Sequence, residues 1–182
     1  SMVEDYPIVD WSTVPAVNYN IKYPFAGRTS HQVTLGVYDP KTKQTVFLQT
    51  GEPKDQFLTC VTWSPDEKSI FIAVLNRDQN HLKLNQYDVK TGKFVKTLFE
   101  EKDDKYVEPQ NPLYFLPGGN EFVWWSQRDG WMHLYRYDLN GKPINQITKG
   151  NWLVNEIAGI NAKKKELLIT ATKDGAMEKH LY

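Results

Sequence analysis

The feature that most constrains this chain is a phrase that returns about every fifty residues. It reads "VYDPKTKQT" from Val37, "QYDVKTGKF" from Gln86 and "RYDLNGKPI" from Arg136. Its aspartates, Asp39, Asp88 and Asp138, are spaced by 49 and 50 residues. Each closes an apolar/polar alternation. Each is followed by turn residues and a second short run, "TVFLQ", "FVKTLF" or "INQIT". Strand, turn and strand in that order is a β-hairpin signature. The aspartate can bond its own backbone two residues on, and Gly92 or Gly141 supplies a positive φ.

Another pair of strands stands upstream of the later hairpins. "LTCVTWSPDEKSIFIAVLNRD" contains strand, Pro-Asp turn, strand, and "PLYFLPGGNEFVWWSQRD" and "IAGINAKKKELLITATKDG" keep the same order. Four strands per fifty residues, joined by short polar turns, predict a β-propeller. One blade cannot bury both faces alone, so neighbours must stack. The expected fold is therefore all-β, a partial β-propeller of about three four-stranded antiparallel blades. Residues 33–48 read as the end of one blade, 58–98 and 113–148 as complete blades, and 154–182 as a truncated one. A closed propeller needs at least four blades, so the chain is expected to be a piece of a larger protein. A β-sandwich is disfavoured, because its strands do not recur in fifty-residue units.

Residues 4–31 do not fit the repeat. They hold three prolines and several aromatics, and no hairpin pattern. Proline after Tyr6, Val14 and Tyr23 favours extended backbone. The segment reads either as a long connection between two strands of one blade or as an extended arm that packs on a partner.

Composition excludes several functions. Lys and Arg total 22, and so do Asp and Glu, so the formal net charge is zero. A nucleic-acid binder normally carries a basic excess to neutralise phosphates, so no nucleic-acid partner is expected. The apolar runs are too short to span a membrane as a helix. The single cysteine, Cys60, excludes an internal disulfide and a cysteine metal cluster, and reads as a buried strand thiol.

Catalytic chemistry is sparse. None of Ser1, Ser12, Ser30, Ser64, Ser69 and Ser126 sits in G-x-S-x-G, the elbow that exposes a hydrolase serine. The histidines, His31, His81, His133 and His180, are scattered. His133 and His180 hold the same place in their repeats, which marks a structural position. No carboxylate or His pair has ligand spacing, so neither a metal nor another cofactor is expected. "EEKDDK", Glu100 to Lys105, reads as a solvated connection between blades. "YVEPQNP", Tyr106 to Pro112, follows it and reads as an inter-blade linker or as the lining of a central cavity. Arg77-Asp78 and Arg128-Asp129 mark the tips between second and third strands. The tryptophans at 63, 124, 125, 131 and 152 read as inter-blade packing.

Longer stretches resemble a known family. "KYPFAG", "VTWSPDEKSIFIAVLNRDQN", "KYVEPQNPLYFLPGGNEFVWWSQRDGWMHLYRYD" and "ITKGNWLV" are together similar to the N-terminal β-propeller of the dipeptidyl peptidase IV family, in Bacteroidetes-type versions. The likeness runs over essentially the whole chain. It implies a fragment of an eight-bladed propeller standing before an α/β-hydrolase domain, in the prolyl oligopeptidase family. The implied parent is a serine exopeptidase that releases Xaa-Pro or Xaa-Ala dipeptides from peptide N-termini. Its serine, aspartate and histidine would lie beyond Tyr182, and its amine-binding glutamate pair before Ser1. Glu100-Glu101 is a different position. The chain alone is then expected to be inactive. The resemblance implies that Tyr106, Glu108, Gln110 and Asn111 form a substrate-facing loop. Gln110 and Asn111 stand where some members carry a ring and a cation. It further implies that Tyr6, Tyr19, Ile21, Tyr23 and Pro24 belong to a dimer arm, so the expected partners are the hydrolase domain, the peptide and a second subunit. An extracytoplasmic location, periplasmic or cell-surface, follows from the same resemblance. A non-enzymatic propeller that binds protein or sugar is the other reading.

Overall fold

Fifteen strands and no helix make up residues 2–182, the part that the computed structural model describes; Ser1 lies outside the described residues. Strands β1 (Asp5–Asp10) and β2 (Val17–Lys22) pair as one ribbon, and β3 (Gly36–Asp39) and β4 (Gln44–Phe47) as another. Strands β5 (Phe57–Trp63), β6 (Ser69–Leu75), β7 (His81–Asp88) and β8 (Phe94–Lys102) form a four-stranded meander. Strands β9 (Tyr114–Phe115), β10 (Glu121–Ser126), β11 (His133–Asp138) and β12 (Pro143–Gln146) repeat it. Strands β13 (Val154–Asn161), β14 (Glu166–Ala171) and β15 (His180–Leu181) form a three-stranded sheet. Every pairing is antiparallel. This is a partial β-propeller.

The second strand of a blade shows why the sheets stack. β6 reads "SIFIAVL", a continuous apolar run rather than an alternation, as a strand covered on both faces must. Ile70, Ile72 and Val74 face the β3–β4 pair and pack with Leu48 and Tyr87. Phe71, Ala73 and Leu75 point the other way and join Leu113, Phe122, Trp124 and Tyr137. β10 repeats the arrangement. Phe122 and Trp124 face β5–β8, while Val123 and Trp125 pack with Val154, Ile169 and Ala171 of the next sheet. Each fully buried large side chain contributes roughly 1.5–3 kcal/mol, so adjacent blades hold one another.

The repeated aspartates terminate the third strand of each blade. Asp39 Oδ1 accepts from the Lys41 amide at 2.8 Å, Asp88 Oδ1 from Thr91 at 2.8 Å, and Asp138 Oδ1 from Asn140 at 2.8 Å. The amide hydrogen bonds hold the Asp39 carboxyl below its ordinary range, and Thr91, through its hydroxyl and amide, does so for Asp88. Gly92 and Gly141 take φ of +69° and +82°. They also sit where blades touch. A Cβ at Gly92 would run into the Phe47 carbonyl oxygen, and one at Gly141 into the Leu98 carbonyl oxygen. The glycine thus serves both the turn and the seam. At the first repeat Lys43 takes φ +57° in its place.

Four expectations need correction. The segment 4–31 does contain a hairpin, in register from Asp5 opposite Lys22 to Asp10 opposite Val17. Proline-rich flanks hid it, because Pro7 lies within the strand and no Asn-Gly or Asp-Gly turn signals it. Glu100 to Lys102 belong to β8 rather than to a solvated connection. Trp63 and Trp131 are exposed, unlike Trp124 and Trp125. Cys60 is only half-buried and sits at a β-bulge with φ +52°, where two residues of β5 oppose one of β6.

Candidate functional site

The connection from β8 to β9 is tied down before it reaches solvent. The Asp103 amide donates to Asn80 O at 3.1 Å, and the Val107 amide to Gln79 O at 2.7 Å. Asp103 Oδ1 in turn accepts from the Lys105 amide at 2.8 Å. These bonds fasten residues 103–107 to the β6–β7 turn. Val107 then packs against the core, and its neighbours Tyr106 and Glu108 face outward.

Beyond this connection lies a groove of about 360 Å³ at the seam between β5–β8 and β9–β12. Tyr106, Glu108 and Pro109 form one wall; Glu101, Trp124, Ser126 and Arg128 form the other. The Tyr106 ring is 57 % exposed. Gln110 is exposed and Asn111 half-buried, and neither lines the groove. The loop residues singled out from the sequence therefore divide into a groove-facing pair and a pair further along the chain.

The far wall is a charge network that the sequence did not announce. Glu101, its side chain 13 % exposed, accepts from Trp124 Nε1 at 3.0 Å, from Ser126 Oγ at 3.1 Å and from Arg128 Nη2. Arg128 Nε donates to Ser126 Oγ at 3.0 Å, and Nη2 to the Tyr137 hydroxyl at 2.6 Å. Its guanidinium lies 4.2 Å from the centre of the Tyr135 ring. Burial alone would lower the Arg128 pKa, but Glu101 and Tyr137 outweigh it and hold it above its ordinary value. Burial, with the Asp129 carboxylate beside it, pushes the Tyr135 phenol up to about 12. A carboxylate as shielded as Glu101 is tolerable because hydrogen bonds and the guanidinium complete it. One signal was present: "EE" opens the charge run at Glu100, and "RD" recurs at Arg77 and Arg128. What was missing was the knowledge that β8 of one blade meets the β10–β11 turn of the next.

Three of the serines are held by neighbouring carboxylates. Ser126 donates to Glu101 and accepts from Arg128; Ser12 and Ser64 donate to Asp10 and Asp66 at 2.6 Å. His133 is fully buried between Thr148 Oγ1 at 3.0 Å and Gly150 O at 2.9 Å, with Trp152 edge-on at 5.0 Å. His81 and His180 pair with Glu100 and Glu178 at 2.6 and 2.8 Å. His81, like His133 and His180, opens the third strand of its sheet. Among the described residues no three His, Cys, Asp or Glu converge as metal ligands. The geometry suits recognition: a ring and a carboxylate on one side, an ordered guanidinium on the other.

The arm residues lie apart from this groove. Tyr19 and Ile21 are exposed on β2, and the Tyr6 ring on β1 packs tilted against Tyr23 at 5.6 Å and Phe25 at 5.1 Å. Tyr23 and Pro24 line a wider hollow of about 1100 Å³ with Arg28, Phe57 and Arg77. At the tip of the ribbon Trp11 is 81 % and Val14 fully exposed.

The family model described as the dipeptidyl peptidase IV N-terminal region matches residues 1–182, the whole chain. The chain belongs to this family. Its likeness extends to a crystal structure from Bacteroides ovatus, assigned as a dipeptidyl aminopeptidase IV, at 42 % identity and TM-score 0.87 over 99 % of this chain and 28 % of that one. Porphyromonas gingivalis dipeptidyl peptidase 4, at 24 % identity and TM-score 0.81, shares the fold over 100 % of this chain and 26 % of its own. The Aspergillus niger dipeptidyl-aminopeptidase B is 28 % identical over 196 residues, covering 99 % of this chain. The Felis catus dipeptidyl peptidase 4 is 29 % identical over 169 residues, covering 81 %. The chain spans only 20 % and 21 % of those two relatives.

Proposed function

We propose that the chain is the non-catalytic propeller segment of a serine exopeptidase that removes Xaa-Pro and Xaa-Ala dipeptides from peptide N-termini. The observation that carries this reading is the family match over the whole chain. Acid, base and nucleophile are assigned to an α/β-hydrolase domain of the parent. The engagement of Ser12, Ser64 and Ser126 with carboxylates supports that division of labour. In this reading the Tyr106–Glu108 groove gates and orients the peptide, with Gln110 and Asn111 further along the same loop. The β1–β2 arm supports a homodimer. The parent acts outside the cytoplasm, in the periplasm or at the cell surface.

The test uses a Gly-Pro chromogenic amide. The purified chain is expected to release no chromophore, while the parent does. Turnover by the chain that survives repurification and vanishes when one of its serines becomes alanine contradicts the proposal. In the parent, Tyr106→Ala is expected to raise KM several-fold with little change in kcat, since uniform binding is lost. A parent with no G-x-S-x-G segment and no turnover would favour a binding propeller instead.

A further inference from the structure

Asn140-Gly141 is the one Asn–Gly step in the sequence. The fold keeps Gly141 in place, because its φ is +82° and a Cβ would strike the Leu98 carbonyl oxygen. Asn140 is exposed at the turn tip. Its Oδ1 accepts a hydrogen bond from Lys96 Nζ at 2.9 Å, and the same ammonium donates to Leu139 O at 3.1 Å. Lys96 belongs to β8 of the preceding blade, so the contact crosses the seam.

We propose that Asn140 is a self-modification site, which loses its side-chain amide in the folded protein with Lys96 assisting. The Gly141 amide nitrogen gives its proton to hydroxide and attacks Asn140 Cγ, forming the ring C–N bond. Negative charge develops on Oδ1, where the Lys96 ammonium already stands within hydrogen-bond distance. Donors placed in advance at a developing oxyanion lower the barrier. The tetrahedral adduct collapses, the bond from Cγ to the side-chain nitrogen breaks, and that nitrogen takes a proton from water and leaves as ammonia. A second water opens the cyclic imide at either carbonyl, giving aspartate or isoaspartate. The step consumes only water. Glycine favours it, having no side chain to obstruct the approach. The Gly141 amide is held by Asp138 O at 3.0 Å, so the turn must open slightly before each attack. In the aspartate product the ammonium–amide contact to Lys96 becomes an ion pair across the seam.

The folded protein is held in mildly alkaline buffer, and peptide maps by mass spectrometry follow each asparagine, with isoaspartate measured by enzymatic methylation. Conversion at Asn140 is expected to exceed that at every other asparagine. Lys96→Met and Lys96→Gln should slow it several-fold, and Lys96→Arg should preserve most of it. In denaturant, where position 96 is no longer beside Asn140, all four proteins should convert alike. Circular dichroism identifies which variants are folded, and at least one of the two neutral substitutions must be. Two results overturn the proposal: an intact Asn140 while other asparagines convert, or a folded Lys96→Met or Lys96→Gln protein that converts at the unmodified rate.

Discussion

A single residue decides whether two blades close on each other at Gly141. Its φ of +82° and its approach to the Leu98 carbonyl each exclude a side chain. Gly141→Ala is therefore expected to cost more than about 1 kcal/mol. Urea unfolding measures this, and an unchanged midpoint would show that the turn relaxes freely. Tyr135 makes a prediction about pH. Its phenol is pushed from 10.0 up to about 12 by burial and by Asp129. The native state thus keeps a proton that the unfolded chain releases first. This contribution to stability is fully present below pH 10 and is lost as pH rises from 10 through about 12. Tyr135→Phe should flatten that part of the stability curve. A variant whose alkaline profile overlays that of the unmodified protein would assign the alkaline loss to other groups.

At the scale of the element, β10 is the strand on which two seams depend. Phe122 is fully buried and stacks on Tyr137 at 5.4 Å, with Phe115 edge-on at 6.4 Å. Phe122→Ala removes a ring from a packed core and is expected to destabilise by about 3–5 kcal/mol. Val123→Ala, on the opposite face, should loosen the β13–β15 seam instead, and a double-mutant cycle measures how far the two adjacent positions couple. Strong coupling in the double variant would mean that the seams are not separate. The ribbon β1–β2 is the opposite case. Among the described residues no other strand pairs with it, and one Lys22–Asp5 ion pair at 2.8 Å adds to its own ladder. An isolated two-stranded ribbon is marginal in water, so it depends on what covers it.

For the whole molecule, that cover is the prediction. In the parent, replacing Tyr19, Ile21 and Tyr23 with polar residues is expected to shift the mass in light scattering from dimer toward monomer. Each large apolar side chain lost from an interface removes roughly 1.5–3 kcal/mol. A mass that stays dimeric would make the arm an ordinary loop. The parent is the right material for the test, since exposed strand edges on the separate chain leave N–H and C=O groups open to artificial pairing.

The fifty-residue period, the Asp-capped turns and the apolar runs of β6 and β10 were legible in the sequence, because each rests on neighbours within a few residues. A turn needs its aspartate and glycine close by, and a doubly covered strand announces itself by losing its alternation. The groove was half legible. Tyr106 and Glu108 could be singled out from the loop, but their opposite wall could not. Glu101 and Arg128 stand 27 residues apart, and the charge run around Glu101 read as solvent-facing. Only the stacking of one blade on the next brings that carboxylate under the guanidinium, out of water, where Trp124 and Ser126 complete its hydrogen bonds. The arm shows the same limit. Its residues were marked by proline and aromatics, yet the pairing of Tyr6 with Ile21 depends on a long turn without a local signature. What local spacing encodes, the sequence determined by itself; what depends on two distant segments sharing one low-dielectric seam, the tertiary structure decided.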